Sequence, residues 1–448
     1  MILLMTTASP EDSPWIFGRK LPPLGLAYIG AALGKADFQV EIIDNYMLRK
    51  PINYIKSEVR RLAPEFVGMT CGSVTYQPCI KAAKAIKEVL PSCKVVVGGW
   101  HPSYLPDSML QHPEIDYVVM GEGERAIVEL ANCITKGADN SSIAKIPGVA
   151  CRINGQIAKS APVLISDLDQ IPFPARHLLP MDLYLRKMEF LDTNPVDTMN
   201  VIRGCPYNCA FCDTKGLWGS KCRFFSPARV VEEIEHLANK YGSRGIYFIG
   251  DNFTINKKRT IEFCKLLKSS KLEVEWICDT RADLISQDLL KEMKSAGCRT
   301  IWFGVESGSP RILSKLNKGV SLEQTAKAFK LCRKEDIQIS CSVMLGIPGE
   351  TVRDIKSTFN FTKKLNPDWI HFNIFVAYPG SGLYDEVMKN GLYDRVEDFV
   401  AYVKTDEFDY KMLIKLQRKF LRDFHISPRS ILRKIRRDGL LTVLRRNV

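Results

Sequence analysis

The chain has 448 residues, 46% of them hydrophobic and 25% charged, with a formal net charge of +13. That balance excludes a largely disordered chain, and no run approaches the ~18 consecutive apolar residues of a membrane span. The charge is uneven: Lys411–Val448 carries twelve Lys or Arg against two Asp, which leaves +3 for everything before it and gives no reason to expect nucleic-acid binding by the body.

The opening Met1–Thr7 lacks a basic segment and a long apolar core, so it reads as a buried strand rather than a signal peptide, and the expected location is cytoplasmic. Short β-rich runs follow at Val40–Asp44, Phe66–Thr70, Lys94–Gly98 and Tyr117–Val119. Helical patterns lie between them, at Leu24–Lys35, Tyr54–Leu62, Pro78–Leu90 and Arg125–Ile134. Such alternation predicts an α/β fold with a doubly wound parallel sheet, whose ligand would lie at the carboxyl ends of the strands. Residues 1–138 are taken as this domain.

Between 139 and 195 prolines punctuate the pattern, as in an ordered linker, with a small hairpin expected at Gly148–Ile157. A second alternating series occupies 196–385, with strands expected at Thr198–Arg203, Gly245–Ile249, Glu273–Cys278, Thr300–Val305, Gln338–Leu345 and Trp369–Val376. Six βα units are two short of a closed eightfold barrel, so a partial (βα)6 barrel is predicted. The region 386–448 reads as helical and basic, with Leu413, Leu416, Phe420 and Phe424 at helical spacing.

Fourteen cysteines in a chain of this size and expected compartment point to metal or catalysis where they cluster, and otherwise to small buried hydrophobes. The cluster is Cys205, Cys209 and Cys212, spaced C-x3-C-x2-C after the first strand of the second series. Soft thiolates suit zinc or an iron–sulfur cluster. Zinc would want a fourth ligand, for which Cys222 is the candidate. Three thiolates on a four-iron cluster leave one iron open to a cosubstrate.

C-x3-C-x-aromatic-C, with Phe211 as the aromatic, resembles the signature of the radical S-adenosylmethionine (SAM) superfamily. The resemblance implies a 4Fe–4S cluster that reductively cleaves SAM to a 5′-deoxyadenosyl radical, with Phe211 near the adenine. It also implies roles at successive strand ends. Gly250-Asp251-Asn252 stands where the family has its motif for the SAM amino group, although the usual Gly-Gly-Glu is missing. Arg281 would pair with the SAM carboxylate, Glu306 would meet the ribose or amino group, and Gly346 would bring backbone near the adenine. Taken singly, Asp251 also reads as a helix cap, Arg281 and Glu306 as a structural ion pair, and Gly346 as a turn.

The first domain resembles the cobalamin-binding domain fused ahead of such barrels. The matching loops hold Thr70, Ser73, Gly98, Gly99, His101, Gly121 and Glu122, which the resemblance assigns to corrin binding. No Asp-x-His-x-x-Gly is present, so cobalt would have no histidine lower ligand, and His101 reads better as a core histidine. A nicotinamide site is disfavoured, because no G-x-G-x-x-G follows the first strand. The expected activity is methylation of an unreactive carbon by a cobalamin-dependent radical SAM enzyme, similar to the radical SAM C-methyltransferases and the anaerobic magnesium-protoporphyrin ester cyclase. An oxidative cyclisation or rearrangement without methyl transfer is the runner-up, and a non-catalytic corrinoid or metal sensor is the reading from another class. The implied partners are reduced flavodoxin or ferredoxin and a small-molecule or lipid substrate. The basic tail reads as a solvated helical cap; its alternative, through Arg429–Arg437, is a peripheral membrane contact.

Overall fold

A computed structural model describes residues 1–7, 21–250, 252–428 and 431. The chain divides into two compact units, one of residues 1–188, 193–206 and 213–246, the other of 189–192, 207–212 and 247 onward. Residues 139–195 fall almost wholly within the first unit.

The first unit holds a seven-stranded sheet of β1 (Ile2–Thr6), β2 (Val40–Asp44), β3 (Phe66–Thr70), β4 (Lys94–Gly98), β5 (Tyr117–Val119), β6 (Val149–Ile153) and β7 (Gln156–Lys159), ordered β2-β1-β3-β4-β5-β6-β7. The first five are parallel, and β6 and β7 are antiparallel additions. All five residues of β1 are buried, as a strand covered on both faces requires. The helix Leu24–Lys35 packs Leu26, Ala27 and Leu33 into the same core as Ile2, Leu4 and Phe66. Strand order reverses between β1 and β3, so the carboxyl ends of β1, β3, β4 and β5 frame the crevice where such sheets bind ligands. Thr70, Ser73, Gly98, Gly99, His101, Gly121 and Glu122 all lie at or just beyond those ends.

The expected linker is pinned by buried charge. Arg176, almost fully enclosed, pairs with Glu233 at 3.0 Å and donates to the Thr198 carbonyl at 2.7 Å. Arg186 pairs with Asp197 at 2.5 Å and donates to Ser243 Oγ at 3.0 Å.

The second series gives β8 (Val196–Asn200), β9 (Ile202–Arg203), β10 (Arg223–Phe224), β11 (Gly245–Ile249), β12 (Glu275–Thr280), β13 (Cys298–Glu306), β14 (Gln338–Leu345) and β15 (Trp369–Ile374). Six of them form one sheet in the order β15-β14-β13-β12-β11-β8, and the line between the two units falls within β11. The strand expected at 198–203 is two strands: β8 joins the six-stranded sheet, whereas β9 pairs antiparallel with β10. One face of β12–β15 is apolar and buried, with Trp276, Cys278, Ile301, Phe303, Ile339, Cys341, Val343 and Phe372. Helix Tyr410–His425 continues that side. Phe420 stacks on Phe359 at 4.3 Å, and Gln417 donates to the Phe372 carbonyl at 2.5 Å.

The C-terminal region is not purely helical. β16 (Val376–Ala377), β17 (Tyr393–Glu397) and β18 (Val400–Val403) form an antiparallel sheet ordered β16-β18-β17. The β17–β18 hairpin turns on Asp398 and Phe399, both with positive φ (46° and 68°). Two positive φ values are the geometry of a tight hairpin, normally written with Asn-Gly or Asp-Gly; Asp-Phe carries no such sequence signal.

Arg176→Ala should destabilise the protein by about 3–5 kcal/mol, because Glu233 would stay buried with only Arg229 at 3.3 Å to offset it. The double variant Arg176→Met, Glu233→Leu should recover most of that loss in guanidinium unfolding followed by circular dichroism.

Candidate functional site

In the first unit the loops after β3, β4 and β5 are fastened to one another. Cys71 N–H donates to the Gly98 carbonyl (2.9 Å) and His101 N–H to the Cys71 carbonyl (3.1 Å). Ser103 Oγ donates to the Gly99 carbonyl (2.7 Å) and accepts from Gly121 N–H (2.9 Å). Gly99 has φ +103°, and an added Cβ would stand 2.9 Å from Thr70 Oγ1 and 3.1 Å from the Cys71 carbonyl. Its lack of a side chain is thus needed by the loop itself.

His101 is 1% exposed, with Nδ1 3.0 Å from Ser73 Oγ and Nε2 2.9 Å from Ser108 Oγ. Burial pushes its pKa down to about 4, so the ring is neutral and both nitrogens are engaged within the protein. That is the arrangement of a core histidine, as the sequence suggested. Glu122 is likewise committed: its carboxylate accepts from Ile165 N–H at 2.6 Å and Arg223 Nη1 at 2.8 Å and faces Arg203 at 3.4 Å. Glu124 takes Arg203 at 2.5 Å. The expectation that the Glu122 side chain meets a corrin meets a physical obstacle, since using it would strand two buried guanidinium groups. Beside this edge, the hydroxyl of Thr7, just past β1, is buried without a hydrogen-bond partner among the described residues. A crevice rimmed by glycines and small hydroxyl side chains, with an unsatisfied hydroxyl, fits a large polar ligand, and a corrin fits it without histidine ligation.

The cysteine loop leaves β9 through Gly204, whose φ is +96° and whose added Cβ would collide with the Lys221 carbonyl at 2.4 Å. Cys205 N–H donates to the Gly219 carbonyl (3.2 Å). Cys222, the candidate fourth zinc ligand, directs its thiol to the Gly204 carbonyl at 3.3 Å. Cys205 is counted with the first unit, and Cys209 and Cys212 with the second. All three are half-buried. Among the described residues no three His, Cys, Asp or Glu side chains are grouped as ligands of a single ion would be.

In the second unit residues Tyr207–Cys212 are strapped by backbone. Ala210 N–H donates to the Leu316 carbonyl and the Ala210 carbonyl accepts from Leu383 N–H, both at 2.9 Å. Asn317 Nδ2 donates to the Asn208 carbonyl at 2.8 Å. Two buried cations stand over the loop. Arg281, 4% exposed, lies 3.6 Å from the Tyr207 ring centre and pairs with Asp283 at 3.0 Å. Its Nη1 is buried without a hydrogen-bond partner among the described residues. Lys318 pairs with Glu306 at 2.9 Å and sits 5.7 Å from the Phe211 ring centre. Burial raises the Cys209 thiol pKa, and Lys318 and Arg281 pull against that rise.

Glu306 has φ +63°, and an added Cβ on Gly304 would lie 2.2 Å from its Oε1. Gly304 is therefore what lets the carboxylate fold back toward Lys318. Sequence reading missed Lys318; the signal was its place twelve residues after Glu306 in Leu316-Asn-Lys-Gly319, a cationic turn that follows the short helix Pro310–Lys315. Gly250 follows β11 with φ +119°, while Asp251 lies outside the described residues. Gly346, at the end of β14, has φ +89°, and an added Cβ would meet Leu413 at 2.4 Å. Beside it Glu350 accepts from Gly346 N–H (2.7 Å) and Ile347 N–H (3.2 Å), and burial raises its pKa to about 7.

Paired cations beside cysteines, one with an unmet buried donor, suit thiolate ligands and the carboxylate of an amino-acid cosubstrate. The structure brings Arg281, Glu306, Phe211 and Cys209 into this neighbourhood and sets Gly346 against the C-terminal helix.

Comparison with known proteins identifies the family. Residues 199–362 match the radical SAM superfamily and residues 17–131 the B12-binding domain. The uncharacterized methyltransferase PH0819 of Pyrococcus horikoshii is 33% identical over 441 residues, covering 97% of this chain and 94% of that one. The anaerobic magnesium-protoporphyrin IX monomethyl ester cyclase of Rubrivivax gelatinosus is 29% identical, covering 85% and 68%. The radical SAM methyltransferase TsrM from Kitasatospora setae, solved with cobalamin and a 4Fe–4S cluster bound, superposes with a TM-score of 0.72 over 88% of this chain and 78% of that one, at 19% identity. The cofactors are accordingly a 4Fe–4S cluster, SAM and cobalamin. With both domain matches in tandem and a relative aligned over nearly its full length, the chain belongs to the cobalamin-dependent radical SAM family.

Proposed function

We propose that this enzyme transfers a methyl group from cobalamin to an unreactive carbon of a small-molecule or lipid substrate. The observation that carries the reading is the pair of buried cations, Arg281 and Lys318, beside the Cys209–Cys212 loop, with Arg281 Nη1 left without a partner among the described residues. The methyltransferase names borne by PH0819 and TsrM support it.

When bound, the cluster supplies the electron that cleaves SAM, and the corrinoid supplies the methyl group. In this reading Cys205, Cys209 and Cys212 hold the cluster. Arg281 and Lys318 neutralise the SAM carboxylate, and Glu306, held back by Lys318, presents its remaining acceptor capacity to the ribose or ammonium. Phe211, Gly250, Asp251 and Gly346 complete the SAM site. Thr70, Ser73, Gly98, Gly99 and Gly121 frame the corrin. Glu122 contributes by fixing its loop, and His101 by supporting Ser73. Residues 1–138 form the cobalamin domain, 139–195 the linker, 196–385 the barrel and 386–448 the C-terminal region.

Enzymes of this superfamily need a one-electron reductant; we assign that part to reduced flavodoxin or ferredoxin. Among the described residues no helix is long and apolar enough to cross a membrane. A cytoplasmic location is part of the proposal, as is contact of the basic tail with a membrane surface. Arg429, Ser430 and 432–448 lie outside the described residues, so that part of the proposal rests on sequence alone.

The decisive experiment is anaerobic turnover with methyl-labelled SAM and candidate substrates. Label in a carbon-methylated product, with S-adenosylhomocysteine and 5′-deoxyadenosine both released, is expected. Release of 5′-deoxyadenosine with a cyclised or rearranged product and no methyl transfer would sink the methylation reading.

Two predictions follow from the site. Changing Cys205, Cys209 or Cys212 to Ala should abolish the brown iron–sulfur absorbance of reconstituted protein, while Cys222→Ala keeps it. In the same preparations Arg281→Ala and Lys318→Gln should each weaken SAM binding about ten- to a hundredfold, the loss of one charge-assisted hydrogen bond of roughly 1.5–3 kcal/mol.

Loading with hydroxocobalamin should reach about one per chain. After reduction, the electron paramagnetic resonance spectrum of cob(II)alamin should show no nitrogen splitting, since both nitrogens of His101 are engaged. A split signal abolished by His101→Ala would reverse that assignment.

A further inference from the structure

The two faces of the second unit's sheet differ sharply. Register sets Ile277 and Asp279 of β12 beside Thr300 and Trp302 of β13, Trp302 beside Ser340 of β14, and Ser340 and Ser342 beside Trp369 and His371 of β15. These residues share one face. Asp279, Trp302, Ser342, Trp369 and His371 keep partial exposure, and Asn373 is exposed, whereas the opposite face is closed under helices. This face is mixed aromatic and polar in character, and Phe190 packs against part of it.

Two buried polar atoms on it lack hydrogen-bond partners among the described residues: His371 Nε2 and Ser340 Oγ. They lie on the same face of adjacent strands, two residue pairs apart along the ladder. The His371 ring is held rigidly. It stacks on Trp302 at 4.4 Å with 17° between planes, and Phe190 meets it edge-on at 5.7 Å. Phe190 also abuts Trp302 and Trp369, each at 5.2 Å, and its carbonyl accepts from Thr300 Oγ1 at 2.7 Å. An oriented imidazole with an unmet ring nitrogen, stacked on a tryptophan and sharing its face with an unmet hydroxyl, is a hydrogen-bonding site kept in an aromatic setting. Leaving such groups unpaired is unfavourable unless something meets them.

We infer that His371 and Ser340 anchor an uncharged polar group of the substrate, a hydroxyl, amide or ring N–H, whose apolar, ring-bearing body lies against Trp302 and Trp369. Burial lowers the pKa of His371 and outweighs the nearby Glu189, so the ring is neutral and offers one donor and one acceptor. A neutral anchor favours an uncharged group over a carboxylate or phosphate. The inference rests on the methyltransferase reading and adds to it the class of substrate.

The test uses anaerobically reconstituted holoenzyme and two probes that differ by a single hydroxyl, 1-naphthol and naphthalene, with affinities measured by equilibrium dialysis. Wild type should bind 1-naphthol about five- to tenfold more tightly, the gain from one neutral hydrogen bond. His371→Phe, which preserves the stack and removes the nitrogen, should equalise the probes, and His371→Gln should restore part of the preference. Equal binding by wild type would mean that a buried water satisfies these atoms, and would overturn the inference. So would a preference that survives both His371→Phe and Ser340→Ala, or binding of neither probe by protein that still cleaves SAM. Release of 5′-deoxyadenosine is measured in the same preparations without a probe; its absence would count against the proposed function, not against this anchor.

Discussion

A guanidinium group taken out of water must find carboxylates, and in the first unit that requirement fixes the entrance to the cysteine loop. Arg203 stands two residues before Cys205 and is buried against Glu122 and Glu124. Arg223, paired with Arg203 across the β9–β10 ladder, shares Glu122. Both carboxylates belong to the segment that follows β5, at the carboxyl edge of the first sheet. None of the four charges can be withdrawn singly without stranding its partners. The ladder that carries Cys205 is thus set by the loop that frames the expected corrin crevice, through electrostatics rather than apolar contact. The same rule recurs in the second unit, where Asp283 and Glu306 hold Arg281 and Lys318 in place beside the cysteines.

Much of this was readable in the sequence because the strands are short, β-rich and bounded by glycine or polar loops. β2, β3, β4, β5, β11 and β14 match their expected bounds to the residue. The cysteine spacing and the strand-end residues were readable for the same reason: their meaning is local. What escaped reading depends on partners distant in sequence. Nothing in Gly121-Glu-Gly-Glu124 tells that Glu122 answers Arg223, 101 residues on. Lys318 acquires meaning only through Glu306 and the Phe211 ring. The β17–β18 hairpin was hidden because Asp398 and Phe399 adopt positive φ without the glycine that advertises such a turn.

Glycine positions show how differently one residue type can be used. Gly304 makes room for a carboxylate to turn back, and at Gly204 an added Cβ would stand 2.4 Å from the Lys221 carbonyl. Gly99, which invites a ligand-clearance reading, is occupied in close approach to its own neighbours, Thr70 and Cys71. A bulky residue there would disturb the loop whether or not a corrin were bound.

The carboxyl of Glu350 responds to acid in the inverted sense. Most carboxylates that matter to a fold resemble Asp354, whose hydrogen bonds from Ser309, Thr351 and Arg311 outweigh desolvation and hold it well below its ordinary range. Such a group is stabilising above its unfolded pKa, and its contribution disappears on acidification. Glu350 behaves oppositely. Its folded pKa is raised to about 7 from 4.5, so between those values the native state holds a proton that the unfolded chain releases. Its contribution is complete below the unfolded pKa and fades as pH climbs through neutrality. Mild alkali therefore works against the turn that joins β14 to helix Val352–Leu365, while mild acid reinforces it.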